Sequence, residues 1–137
     1  MFWKIKKLAA SGVLTGAVLL CGGCFSLDNN YLRPADFARE LRKNGIVIEQ
    51  IRPLDPRPLG ATEALEMRIS GSGIGVYKFD RSNKNSREKL ERISKNKKIY
   101  FNGIPYPIYE VCGSFFIVGL DKNTEKRKIL EVLRNFK

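Results

Sequence analysis

The sequence contains no histidine, only three cysteines and one tryptophan among its 137 residues. The absence of histidine removes the usual general base, the commonest metal ligand and the side chain that titrates near neutral pH. Acidic residues are also scarce, because 14 of them stand against 25 lysines and arginines, for a net charge of +11. Histidine-dependent chemistry is therefore excluded, and the charge favours anionic partners.

The first 23 residues have the layout of a secretory signal peptide. Residues 1–7 carry three lysines and no acid, residues 8–20 carry no charge, and Gly22 and Gly23 follow. A basic start, a short apolar middle and small residues at the end are typical of such a segment. The apolar stretch is shorter than the roughly 20 residues that a membrane-spanning helix needs. We therefore expect residues 1–23 to be cleaved.

The stretch "AVLLCGGC" resembles the lipobox of bacterial lipoproteins, in which small residues precede an obligatory cysteine. The resemblance implies that Cys24 receives a diacylglycerol group and that a peptidase cuts between Gly23 and Cys24. The position three before the modified cysteine is usually leucine, and here it is Cys21. Cys21 suits lipidation less well, because bulky Leu20 would precede the cut. Two alternatives stay open, namely a cleaved signal peptide without lipid and an uncleaved anchor.

The implied lipid would anchor the mature protein to the membrane without spanning it. A thiolate is nucleophilic enough at neutral pH to take the diacylglyceryl group as a thioether. Two ester-linked chains and an N-acyl chain such as palmitate bind far more tightly than one chain, at about 0.8 kcal/mol per buried CH₂. The expected location is the cell membrane or the outer membrane, with the domain outside the cytoplasm. In a cell with two membranes, Phe25 favours the outer one, because it stands in place of the aspartate of the inner-membrane sorting rule.

Cleavage would leave 22 basic and 14 acidic residues, a net charge of +8. Residues 24–33 contain the lipidated cysteine and a short polar tether, and ten flexible residues have an r.m.s. reach of roughly 17 Å. With Cys24 blocked by lipid, Cys112 has no thiol partner, so no intramolecular disulfide is expected. The Cys112 thiol would be exposed if the hairpin turns at Cys112 and Gly113 and buried if the strand runs on, and we favour the turn.

The pattern of residues 34–137 predicts a single α+β domain. We expect an antiparallel sheet of hairpins with three helices mainly on one face. The predicted helices lie in "PADFARELRKNG", "RSNKNSREKLERISKNKK" and "NTEKRKILEVLRNF", the last with Thr124 as its N-cap. Strands are predicted in "IVIEQI", "ALEMRI", "IGVYKFD" and "KIYF", with a final hairpin in "IYEVCGSFFIVGL". The stretches "RPLDPRPLG" and "NGIPYP" predict a loop and a turn.

Four stretches are similar to a small domain of uncharacterised bacterial lipoproteins: "FARELRKNGIVIE", "GIGVYKFD", "ERIS" and "PIYEVCGSFFIVGL". Together they cover much of residues 37–119. The resemblance supports the same α+β fold and implies no known activity.

Seven basic residues lie in and beside the second predicted helix, with aromatic residues next to them. Such a pattern suits an anionic surface. An exported protein rarely meets nucleic acid, so lipid headgroups or anionic envelope polymers are the expected partners, with no nucleic acid and an unknown protein partner. The alternative is a solvated face that Glu88 and Glu91 partly neutralise. The seven residues are Lys84, Arg87, Lys89, Arg92, Lys95, Lys97 and Lys98.

No motif marks a catalytic, metal or cofactor site. The "GSGIG" stretch precedes strand-like "VYKFD", whereas a phosphate loop precedes a helix, so we interpret it as a hairpin turn. We expect a non-catalytic binding or scaffolding role, and the alternative is an envelope enzyme with a site built from dispersed carboxylates and tyrosines. The scattered carboxylates include Asp36, Glu40, Glu49, Asp80, Glu110 and Asp121. The aromatic residues expected in the core and on the sheet faces are Tyr100, Phe101, Tyr106, Tyr109, Phe115 and Phe116.

Overall fold

The computed structural model describes residues 28–137, so the predicted signal peptide and Cys24 lie outside the described residues. The helices are α1 (Pro34–Lys43), α2 (Lys84–Asn96) and α3 (Lys126–Arg134). The strands are β1 (Gln50–Pro53), β2 (Glu63–Ile69), β3 (Ser72–Lys78), β4 (Lys98–Phe101), β5 (Ile104–Pro107), β6 (Val111–Cys112) and β7 (Phe115–Val118). Short 3-10 turns lie at Arg57–Leu59 and Leu120–Lys122.

The main sheet has five antiparallel strands in the order β1-β2-β3-β7-β6, and β4 and β5 form a separate two-stranded sheet. The predicted α+β fold is confirmed. The "GSGIG" stretch lies in the β2–β3 hairpin, as predicted, but only Gly71 belongs to the turn and its other four residues form the start of β3. Ser70 and Gly71 connect the strands there with positive φ angles of 53° and 75°, a backbone shape that suits a two-residue hairpin.

Both faces of the main sheet are buried. On one face, Ile74 and Val76 of β3 pack in a cluster with residues of α1 and α3. On the other face, Tyr77 packs with Leu90 of α2 and Ile99 of β4. Side chains alternate between the faces of a strand, so β3 supplies apolar residues to both clusters. Two helices therefore share one face, and α2 lies on the other with the β4–β5 hairpin.

Three local predictions were displaced by a few residues. The strand predicted at residues 46–51 is β1, Gln50–Pro53, and its final proline is tolerated because β1 is an edge strand. The predicted turn "NGIPYP" holds a turn at Asn102 and Gly103 and then β5. The last helix begins at Lys126, and it is Asn123, not Thr124, whose side chain accepts the Glu125 N–H at 2.8 Å.

The N-terminal boundary of the domain also differs from the one predicted at Pro34. Asn29, placed by the sequence in the tether, has no solvent exposure. Its Nδ2 donates to the carbonyl oxygens of Cys112 and Phe136 at 3.0 Å each, and its Oδ1 accepts from the Ser114 N–H at 2.8 Å. We call these contacts the Asn29 clamp. They satisfy the buried carboxamide and make Asn29 part of the domain.

Gly113 is the residue that leaves room for the clamp. It has a φ of +63°, a conformation that favours glycine. A Cβ added here would lie 2.8 Å from Cγ of Asn29 and closer still to its Oδ1. The glycine is therefore required both by the turn and by the buried side chain above it.

We predict that Gly113→Ala destabilises the domain more than Gly103→Ala. Both glycines have positive φ angles in hairpin turns, but a Cβ at Gly103 meets nothing within 4 Å. The shared backbone strain should cost about 1–2 kcal/mol at either site, and the overlap with Asn29 should add about 1–3 kcal/mol at Gly113 alone. Urea unfolding of residues 28–137 measures both free energies.

A double-mutant cycle provides the control. Asn29→Ala should itself cost about 1–3 kcal/mol, because it leaves buried backbone groups unpaired. In that background the extra cost at Gly113 should disappear, since the overlapping atoms are gone. An equal cost at Gly103 and Gly113, with or without Asn29, would contradict the assignment.

We also predict that residues 28–137 fold as a cooperative monomer and that residues 34–137 are less stable. The shorter chain lacks Asn29, so it should lose about 1–3 kcal/mol from the unpaired groups. Chemical unfolding followed by circular dichroism compares the two. Equal stabilities would show that residues 28–33 contribute nothing to the domain.

Candidate functional site

Helix α2 separates its residues into an apolar and a charged face. Leu90 and Ile93 are buried against the sheet, 4% and 6% exposed. Residues three and four apart lie on the same side of a helix, so the outer side carries Lys84, Arg92 and Lys95. Glu88 and Glu91 lie on that same outer side, and Lys84 pairs with Glu88 at 3.9 Å. The outer face of α2 is therefore basic but mixed in charge.

Of the other four predicted basic residues, Arg87 is exposed at the edge of this outer face, three residues from Lys84, and the other three lie elsewhere. Arg87 donates from Nη1 to the Arg81 carbonyl at 2.8 Å, and the Lys89 ammonium lies beside Gly60, near the Arg57–Leu59 turn. The remaining two lie where the helix ends. Lys97 is its left-handed C-cap, and Nζ of Lys98 lies 5.9 Å from the Tyr100 ring centroid. The structure therefore spreads the seven residues along and around α2.

A second polar cluster lies where the chain enters the domain. Asn30 Oδ1 accepts from the Arg81 N–H and from the Ser114 hydroxyl, both at 2.8 Å. Its Nδ2 donates to Asp80 at 3.1 Å. The pKa of Asp80 is lowered to about 2, first because the Ser82 hydroxyl and N–H donate to the carboxylate and then because Asn30 does. Asn30 thus joins the entering chain to the segment before α2.

We call this region the exit end, because the segment that leads back to Cys24 leaves the domain here. It is defined by residues 28–31, residues 80–84, the turn at residues 113–114 and Arg87, which donates to the Arg81 carbonyl. Arg81 lies 4.0 Å from the Asp28 carboxylate there. Tyr31 is 69% exposed at the same end, in a turn closed by the Leu32 N–H donating to the Asn29 carbonyl. The exit end therefore carries an exposed tyrosine and the cationic side chain of Arg81.

Cys112 is buried, so the prediction of an exposed thiol was wrong. The hairpin does turn at residues 113–114, but Cys112 pairs with Phe115 across it. Paired residues of antiparallel strands point to the same side, and Phe115 faces the core, so Cys112 is only 7% exposed. Burial, followed by the nearby Glu110 carboxylate, raises the pKa of the thiol to about 12.

The scattered carboxylates have separate local partners. Asp36 accepts the Arg33 N–H at the start of α1, Glu49 accepts the Gly71 N–H at 3.1 Å, and Glu110 pairs with Arg134. Glu40 pairs with Lys43, while Asp121 is exposed. Among residues 28–137, no group of three or more cysteines and acids could hold a metal ion.

The aromatic residues follow the prediction with one exception. Phe115 and Phe116 are fully buried, and half-buried Phe101 and Tyr106 contact one another with ring centroids 5.5 Å apart. Tyr109 is half-buried beneath the Lys126 ammonium, 4.8 Å from its ring centroid. Tyr100 is 56% exposed, because it points outward from β4.

Sequence reasoning missed Asn29 and Asn30, which join the entering chain to the domain. Asn29 and Asn30 stand in the polar run "LDNN", which reads as a linker. Their partners lie 50 to 107 residues away in the chain, so no local spacing reveals them.

Within the part of the chain that is described, no helix is long and apolar enough to cross a membrane.

We predict that the Cys112 thiol of the folded domain reacts with a disulfide reagent at pH 8 at least about 100-fold more slowly than in urea. Burial limits access, and the raised pKa leaves little thiolate. The reagent's absorbance measures both rates. Comparable rates in folded and unfolded protein would contradict the buried position.

The raised pKa of the Cys112 thiol should make the stability of the domain depend on pH in the alkaline range. Because the folded pKa lies above the ordinary value of 9.0, the neutral thiol stabilises the fold below about pH 9. This stabilisation is lost as the pH rises towards 12. The free energy of unfolding should therefore fall less steeply with pH above pH 9 in Cys112→Ala than in the parent protein. Identical slopes would contradict the raised pKa of the Cys112 thiol.

No family model, curated protein or solved structure matches this chain. The functional interpretation therefore comes from its own residues. The most informative of them are Cys24 in the sequence and the Asn29 clamp in the structure.

Proposed function

We propose that this chain is a lipid-anchored cell-envelope lipoprotein whose domain has a non-catalytic binding or scaffolding role. The observation that carries the proposal is the sequence before Cys24, with a basic start, a short apolar stretch and two glycines. That layout suits export, and a cysteine at its end is the residue that a diacylglyceryl transfer requires.

The position of the Asn29 clamp supports an anchoring role for the segment before it. Residues 25–28 alone separate Cys24 from Asn29. A chain advances by at most about 3.6 Å per residue, so the two Cα atoms lie within about 18 Å of one another. A lipid on Cys24 would hold the domain against the bilayer surface.

The charge of the domain supports an anionic surface as its partner. The mature chain would carry eight more basic than acidic residues, and outward-facing cations of α2 are exposed. A basic residue close to an anionic membrane contributes about 1 kcal/mol. Headgroups of the anchoring membrane, or anionic polymers near it, are the partners that this charge fits.

We predict that Cys24→Ser abolishes lipid labelling and leaves an unprocessed precursor. The hydroxyl of serine is far less nucleophilic than a thiolate, so the diacylglyceryl group has no acceptor. Labelling with radioactive palmitate and mass spectrometry of the N-terminus measure the result in cells that export the parent chain.

The two other cysteines provide matched controls. Cys21→Ser and Cys112→Ala should both keep the lipid, because each removes a thiol and leaves Cys24 in place. A membrane-bound form that retains Met1, or a mature terminus without lipid, would refute the lipoprotein proposal. Loss of labelling in Cys21→Ser instead would move the modification to Cys21.

A further inference from the structure

The structure fixes which end of the domain lies closest to its own N-terminal segment. The Asn29 clamp holds the entering chain at the β6–β7 turn and beside the end of α3. Asn30 holds it to Asp80 and Arg81. All of these contacts lie at the exit end. Among the described residues, the N-terminal segment therefore joins the domain at that end.

The opposite end of the domain is equally well marked. The β2–β3 turn at Ser70 and Gly71 lies at the other end of β3, and Asn123 donates there to the Ile69 carbonyl at 3.0 Å. Helix α3 runs from that end to the exit end, where the Phe136 carbonyl meets Asn29. The first residue of α3 is therefore remote from the entering chain.

Helix α2 runs in the reverse direction. It begins three residues after Arg81 at the exit end and returns over the sheet, packing Leu90 and Ile93 against the same face as Tyr77. With a rise of about 1.5 Å per residue, Asn96 lies roughly 18 Å along the axis from Lys84. Lys84 and Arg87 belong to the exit end, whereas Lys95, Lys97 and Lys98 are distal.

We propose that the exit end is the membrane-contact surface of the domain, with Tyr31 and Lys84 and Arg87 meeting anionic lipid headgroups. The proposal rests on lipidation of Cys24. A domain of about 110 residues has a radius of gyration near 13 Å, so a connection of at most about 18 Å leaves the distal end far from the bilayer. Headgroups therefore meet the exit end.

The chemistry of the exit end fits such a surface. Tyrosine is enriched at membrane interfaces, where its ring and hydroxyl match the two environments, and Tyr31 is the most exposed large apolar residue near the entering chain. Lys84 and Arg87 are exposed cations of the same end, and Arg87 donates to the Arg81 carbonyl there. Two acids of this end lie beside cations, Asp28 4.0 Å from Arg81 and Glu88 3.9 Å from Lys84. An exposed ion pair contributes only about 0–1 kcal/mol, so headgroups can compete with Glu88 for the Lys84 ammonium.

The orientation is tested with two probes on one helix. Asn85 and Asn96 are both exposed and lie eleven residues apart, which is close to three turns. They therefore share a face of α2 and differ in height by about 17 Å. Asn85→Cys and Asn96→Cys, made in the full chain, each receive a fluorophore after export, because lipid blocks Cys24 and burial protects Cys112.

The purified lipoprotein is reconstituted in phosphatidylglycerol vesicles that contain a headgroup spin-labelled lipid. We expect the probe at Asn85 to be quenched severalfold more than the probe at Asn96. The difference should shrink in phosphatidylcholine vesicles and at 1 M salt, where the Debye length falls to about 3 Å. Equal quenching, or stronger quenching at Asn96, overturns the proposal.

A pair of matched variants tests the named residues. Tyr31→Ser with Lys84→Glu removes one exposed tyrosine and reverses one lysine at the exit end, and it should lower quenching at Asn85 severalfold. Tyr100→Ser with Lys95→Glu makes the same changes distally and should leave quenching unchanged. Equal effects of the two variants would overturn the assignment of these residues.

Mass spectrometry of the same preparations distinguishes failure of the exit-end proposal from failure of the lipoprotein proposal. A lipidated terminus with equal quenching at the two sites refutes the exit-end surface and leaves the lipoprotein proposal standing. A cleaved terminus without lipid, or a form that retains Met1, refutes the lipoprotein proposal and with it the exit-end proposal, which rests on lipidation of Cys24.

Discussion

The Asn29 carboxamide is the interaction on which the architecture of the N-terminal region depends. Its three hydrogen bonds join it to residues 83, 85 and 107 positions away. One side chain therefore links the entering chain, the β6–β7 turn and the end of α3. A buried amide is stabilising only when its donors and acceptors are paired, and this one has partners for both its amide nitrogen and its oxygen. Gly113 makes that possible, because any side chain there would occupy the space of the carboxamide.

Orientation and attachment are energetically different tasks in the proposed lipoprotein. At about 1 kcal/mol per basic residue near an anionic surface, Lys84 and Arg87 together contribute about 2 kcal/mol. This corresponds to a bias on the order of 30-fold between orientations. Such a contribution is too small to hold a protein on a membrane, whereas three acyl chains suffice. The lipid would determine where the domain resides, and the exit end would determine which side faces the bilayer.

Much of the fold could be predicted because its signals are local. The alternating residues of β2 and β3, the glycine turn between them and the apolar side of α3 all lie within short windows. The predictions that were displaced or wrong depend on contacts between residues that are far apart in the chain. Pro105 and Pro107 read as turn residues, but a strand in a two-stranded sheet tolerates them at its free edge. Cys112 lies next to a turn, yet its exposure depends on which face of the sheet carries Phe115. The exit end could not be predicted, because Asn29 finds its partners only after the chain has folded.

In the proposed lipoprotein, the burial of Cys112 would have a consequence for the order of events during export. In the unfolded chain this thiol has an ordinary pKa and free access, and envelope compartments of many bacteria catalyse disulfide formation. Its oxidation therefore competes with closure of the β6–β7 hairpin. Once that hairpin is packed, the thiol is both neutral and inaccessible. Rapid folding would thus protect the Cys112 thiol from oxidation. Molecules that fold slowly would form disulfide-linked dimers through Cys112.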